Sequence, residues 1–187
     1  MNVKGTVYTT TKATVIEAFG EQRWNAFMAD LAGKEEYFKN TVIMSVTAIP
    51  LEKIITFFSQ MTQEFFNNDK NSYEMFGMVG AKFALTPGGP YSSYLLTKDT
   101  KQFVEVVIPK LWATYYDGGV AKAWLENNTA HVVITGLPIK NIYYEKLLLG
   151  YFKQAFKIFG KKSSATVVRC LTAGDNDIYF KFDLKDS

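Results

Sequence analysis

The spacing of apolar residues changes character once along this chain, near residue 118. Before that point they recur at three- and four-residue intervals, the period of helices with one buried face; after it they mostly alternate, the period of strands. Residues 9–19 and 21–32 read as two short helices broken at Gly20. "TVIMSVTAI" at 41–49 is β-prone. Pro50 suits a first helical turn, and Leu51, Ile54, Ile55, Phe58, Met61 and Phe65 then mark an amphipathic helix to about Phe66. "NNDKN" breaks it. "SYEMFGMVGAKFAL" resumes a helix in which Gly77, Gly80, Ala81 and Ala84 form a stripe of small residues, suited to close approach of another helix backbone. "TPGGP" is a turn.

Asp99 or Thr100 can cap a further helix carrying Val104, Val107, Ile108, Leu111 and Tyr115. Pro109 must kink or split it, because proline has no N–H to donate and its ring crowds the preceding turn. Residues 119–126 and 129–136 make a hairpin across Asn127-Asn128. A helix over about 140–160 presents Tyr144, Leu147, Leu148, Tyr151, Ala155 and Ile158, with Gly160 as its stop. Strands at about 164–172 and 177–184 close the chain. The order predicts an α+β fold: a helical region, then ββαββ with a four-stranded, mainly antiparallel sheet. Its 187 residues suit one domain, with 1–117 mainly helical and 118–187 forming the ββαββ part.

The last hairpin carries the only cysteine. Centring its turn on Gly174 pairs Cys170 with Ile178, Val168 with Phe180 and Thr166 with Phe182, since paired residues share a face. Cys170 then points into the core with Val168, Ile178, Phe180 and Phe182, as a small hydrophobe whose pKa burial raises. Arg169, Tyr179, Lys181 and Asp183 take the other face. On the strand "TAHVVIT", Ala130, Val132 and Ile134 form the core-facing set, so the sole histidine, His131, points outward with Thr129 and Thr135.

Composition narrows the functional classes. Apolar residues make up 48% of the chain, so it folds, yet no segment approaches the ~18 apolar residues of a membrane span. The first twenty residues lack the apolar core of a secretory signal, and a lone cysteine forbids an internal disulfide. A cytoplasmic protein is expected. Net charge is +3, with scattered lysines and only two arginines, Arg23 and Arg169. That pattern argues against nucleic acid, whose readers favour arginine. Asp117, Asp175 and Asp177 sit at turns, where aspartate bonds its own backbone, and no carboxylate pair names a reaction. No enzyme is expected.

Three stretches carry a resemblance. Cys170, Gly174-Asp175 and the aromatic strand after them resemble the C-terminal hairpin of vinyl-4-reductase-type domains, which typically place a second cysteine eight residues after the first; here that position is Ile178. "VKGTV" through "VIEAFGEQRW", residues 3–24, is similar to the start of heme-nitric-oxide-binding (H-NOX) domains and their non-heme relatives. "PKLWATYYDGG", residues 109–119, followed by ββαββ, resembles a bacterial family of that superfamily known mainly from myxobacteria. The superfamily also includes TRAPP vesicle-tethering subunits.

The resemblance implies a sensor fold and locates its departures. Heme-binding members ligate iron through a histidine on the helix ahead of the sheet; the matching helix here has none, with Leu111 or Trp112 in about that place. They hold the propionates with Tyr-x-Ser-x-Arg, which neither arginine completes. No heme and no zinc are expected. The expected function is a non-enzymatic ligand-binding regulatory domain, with an apolar small molecule among Phe76, Phe83, Phe103, Leu111, Trp112 and Tyr115, or with those side chains filling the space themselves. The alternative is a scaffolding module like the TRAPP subunits, self-associating or binding a protein partner through Tyr91, Tyr94 and Leu95.

Overall fold

The computed structural model describes residues 1–96 and 99–186. A short strand β1 (Asn2–Lys4) pairs antiparallel with β2 (Ala48–Pro50), Val3 opposite Ile49. Between them run α1 (Thr6–Phe19), α2 (Glu21–Lys34) and the short α3 (Glu36–Asn40). Only the end of the β-prone stretch at 41–49 is a strand. Its earlier residues are bound to the start of α1, because the carbonyls of Thr47 and Ser45 accept from the N–H groups of Gly5 and Thr6 at 2.7 and 3.0 Å. Those donors have no partner within the helix, which is why α1 begins at Thr6 rather than at the first periodic residue. Val42, Met44 and Val46 are left exposed.

Two longer helices follow, α4 (Leu51–Phe66) and α5 (Ser72–Leu85). The Pro109 segment stays helical through the proline but is divided. It runs as α6 (Thr100–Gln102), a π-helical turn over Phe103–Val107, and α7 (Ile108–Tyr115). The Ile108 N–H reaches back to the Phe103 carbonyl, one residue beyond the α-helical partner. A widened turn of this kind takes up the mismatch that proline imposes. Asp99 caps the segment, accepting from Lys101 N at 2.8 Å.

The sheet comprises β3 (Val120–Glu126), β4 (Thr129–Thr135), β5 (Lys161–Arg169) and β6 (Ile178–Asp186), in the order β3-β4-β6-β5 with every neighbour antiparallel. Helix α8 (Ile142–Ile158) lies across one face, Phe152 and Phe156 packing on Phe180 and Phe182. On its other side α8 crosses α5, where glycines remove the side chains that would keep two helices apart. A Cβ on Gly77 would strike the Leu147 carbonyl and sit 2.7 Å from Tyr151 N, and one on Gly150 would strike the Glu74 carbonyl. Helices α1 and α4 cover α5, completing the core. Among the described residues no helix is long and apolar enough to cross a membrane.

The last hairpin departs from the expected register by one residue. Phe180 pairs with Val167, Phe182 with Ala165 and Tyr179 with Arg169, and a bulge at Val168 takes up the difference. The connection is longer than a two-residue turn: a 3₁₀ turn over Leu171–Ala173, then Gly174 at φ 103°. Two carboxylates build it. Asp175 accepts from Cys170 N at 2.9 Å, and the buried Glu145 of α8 accepts from both Thr172 N and Thr172 Oγ1 at 2.7 Å. Leu171, not Cys170, therefore enters the core. Cys170 is half-exposed, its Sγ 3.8 Å from Thr172 Oγ1. Cys170→Ser should accordingly shift stability by less than about 0.5 kcal/mol in urea unfolding; a loss of about 1–3 kcal/mol would place the thiol in an apolar environment after all.

Candidate functional site

A cavity of about 50 Å³ lies inside the helical region, walled by α1, α5, α7 and α8. Helix α7 supplies one wall because its i, i+1 and i+4 residues, Leu111, Trp112 and Tyr115, turn inward. Trp112 is fixed at both ends. Its Nε1 donates to the Gly118 carbonyl at 3.1 Å, and its ring stacks on Tyr116 at 4.1 Å between centroids. Opposite, α8 contributes Leu147, Leu148 and Tyr151, and the Tyr151 hydroxyl donates to Tyr115 Oη at 3.4 Å. Phe76, Gly77 and Gly80 of α5 line a further side.

Helix α1 brings hydroxyl groups to an otherwise mainly apolar lining. Thr6, Thr10 and Thr14 recur every four residues on α1 and so share one face. Thr14 Oγ1 donates to the Thr10 carbonyl at 3.1 Å, and Thr6 Oγ1 to the Ser45 carbonyl at 3.0 Å. No charged side chain touches the cavity. Burial raises the pKa of Tyr115, Tyr116 and Tyr151 above the ordinary phenol value, so these hydroxyls stay neutral and protonated.

Of the six aromatic and aliphatic residues that the sequence nominated for a pocket, the fold brings Phe76, Leu111, Trp112 and Tyr115 together around it. Phe103 is fully buried elsewhere, stacked on Phe159 at 4.4 Å and edge-on to Phe156. Phe83 is 48% exposed, on a different face of α5. Tyr91 and Tyr94 stack on each other, and Tyr91 also meets Tyr115 edge-on and accepts from Lys4 Nζ at 2.9 Å. With Leu95 they are half-buried, packed against the protein's own core, and Leu96 beside them is exposed. The α1 threonines were missed, although their four-residue spacing is visible in the sequence.

His131 does lie on the outer face of the sheet, as its strand alternation predicts, but at 6% exposure it does not face solvent. Trp124 covers it, the rings parallel and 4.8 Å apart; Tyr179 Oη is 2.6 Å from Nδ1, and Glu126 is 3.5 Å from Nε2. Cross-strand neighbours thus enclose the imidazole, a burial that alternation alone does not report. The arginines are engaged far from the cavity: Arg169 is bidentate on Asp177 at 2.5 and 2.8 Å, and Arg23 contacts Glu64. No group of three or more potential metal ligands occurs among the described residues.

No known protein-family profile matches the chain, and no curated protein matches it in sequence. The likeness is structural. An H-NOX protein from S. oneidensis in its Fe(II)NO ligation state superposes with a TM-score of 0.73 at 15% identity, covering 98% of this chain and 99% of that one. A histidine-to-glycine mutant of an H-NOX domain from Shewanella oneidensis, in the Fe(II)CO state, gives 0.72 at 16% identity over 98% and 99%. An unliganded Fe(II) H-NOX mutant from K. algicida gives 0.69 at 12%, over 98% and 97%. The chain has an H-NOX-like fold. The α+β arrangement read from the sequence is the observed one.

Proposed function

We propose that this chain is a non-enzymatic, cytoplasmic ligand-binding regulatory domain, a non-heme member of the vinyl-4-reductase and H-NOX superfamily, which holds a small apolar molecule in the helical cavity. The cavity carries the reading: an apolar space is kept within a helical core that otherwise packs aromatic on aromatic. Its residues do not fit a histidine-ligated heme. No lining side chain is a histidine or cysteine, and the sole histidine is enclosed on the far face of the sheet. The space of about 50 Å³ is a third of the roughly 150 Å³ that takes benzene, and a porphyrin ring is larger still. A regulatory domain of this kind passes its state to a protein partner or a second copy.

The test adds hemin to the purified chain under reducing conditions and follows the Soret band. Free-hemin spectra at every ratio are expected. A saturable one-to-one complex with a ligated-heme spectrum would overturn the heme-free reading. Native mass spectrometry of the same sample reports the assembly state. The second reading, a scaffolding module like the TRAPP subunits, draws on Val42, Met44 and Val46, exposed side by side before β2; a bare-mass dimer that Val42→Ser and Met44→Ser dissociate would favour it.

A further inference from the structure

We propose that the cavity's ligand is a small neutral molecule with one oxygen, of the short-chain alcohol class, seated over Gly80 with its polar atom on the Thr10 hydroxyl. The inference rests on reading the cavity as a ligand site and goes on to name what fits it.

Gly80 is the first observation. Glycine destabilises a helix interior relative to alanine, so one inside α5 calls for a reason. At Gly77 the reason is steric, since a Cβ would strike the backbone of α8. At Gly80 it is not: the nearest atom to a Cβ there is Tyr151 Cδ2 at 3.9 Å, ordinary contact distance. What Gly80 leaves open is cavity, whose wall it forms.

Thr10 is the second, independent one. Threonines on a helix commonly turn their hydroxyl back to a carbonyl three or four residues earlier. Thr9, Thr11 and Thr14 do so, to Thr6, Val7 and Thr10. Thr10 does not: at 7% exposure its hydroxyl has no hydrogen-bond partner among the described residues. No sealed side-chain oxygen or nitrogen there lacks a partner, so this hydroxyl opens on free space, and the space it lines is the cavity. It can donate and accept together, as an alcohol can.

Size and charge complete the class. A volume of about 50 Å³ is a third of the roughly 150 Å³ in which an apolar cavity takes benzene, which restricts the ligand to a few heavy atoms. With no charged lining residue, an ionic ligand would lose hydration without compensation.

The experiment titrates the ¹⁵N-labelled full chain with 1-propanol and, separately, with xenon, following the amides of Thr10, Gly77 and Gly80 and the Trp112 indole N–H. Both probes are expected to shift them saturably. Gly80→Ala should weaken both at least tenfold while the protein stays folded. Thr10→Val should weaken propanol at least fivefold and leave xenon unchanged; Thr10→Ser should restore propanol. Xenon without propanol would overturn this inference and leave the cavity reading standing. Neither probe binding would overturn both. Equal propanol affinity in Thr10→Val would remove Thr10 from the site.

Discussion

Gly77→Ala and Gly150→Ala are each expected to lose about 3 kcal/mol of stability, whereas Gly80→Ala, one turn along the same helix, should gain up to about 1 kcal/mol. All three replace a helix-interior glycine with the best helix former, so propensity alone predicts three stabilised proteins. The α5–α8 crossing decides otherwise. Each Cβ at 77 or 150 is directed at a carbonyl of the opposing helix, and backbone cannot step aside by changing rotamer. The helices must separate, loosening Phe76 on one side and Leu147 and Leu148 on the other, where interiors tolerate no gap. The two substitutions relieve each other: once one has parted the helices, the second meets less resistance, so the double variant should lose less than the two single losses combined. Urea midpoints measure all four proteins. A Gly77→Ala protein as stable as the parent would show that the crossing is not held by backbone contact.

This crossing also shows how far the sequence reached. The small-residue stripe on α5 was legible, because glycine and alanine at helical spacing mark a close approach whatever the partner. Gly150 was not, since one glycine in a helix of larger side chains carries no period, and its meaning lies in Glu74, more than seventy residues away. The same division runs through the site. Phe76, Leu111, Trp112 and Tyr115 follow from helical faces and do meet around one space. Phe103 has the same character in sequence, yet the π-helical turn over Phe103–Val107 rotates that part of the segment away from the α-helical phase, and Phe103 packs on Phe159 instead. Cys170 was misplaced through a similar local event. Alternation gives the two faces of a strand correctly only while no bulge intervenes, and the bulge at Val168 belongs to a turn held by Glu145, a residue of another element. Local period is written in the sequence; a one-residue change of phase is written in tertiary contacts.

Above pH 10 the protein is expected to unfold in a cooperative step rather than titrate residue by residue. Tyr116, Tyr143 and Tyr151 are buried, and burial, the leading cause in each case, raises their pKa values above the 10.0 of a free phenol. Tyr8 is pushed up to about 12 by the same cause. The sign follows from the order of ionisation. Below pH 10 these phenols are neutral in folded and unfolded chains alike, and their contribution is fully present. As pH rises past 10 the unfolded chain releases protons that the folded one retains, so stability falls until the folded pKa values are reached. Each buried phenol removes about 1.4 kcal/mol per pH unit across that interval. Acting together, the three would remove about 4 kcal/mol per pH unit while they stay protonated in the folded chain, against a domain stability of about 5–15 kcal/mol. Tyrosinate absorbance should therefore rise abruptly, together with the loss of near-ultraviolet circular dichroism from the Trp112–Tyr116 stack. Smooth ionisation of all eleven tyrosines near pH 10 with the dichroism intact would mean that water already reaches the hydroxyls around the cavity, and that the belt of tyrosines joining α7 to α8 is not the dry core its geometry describes.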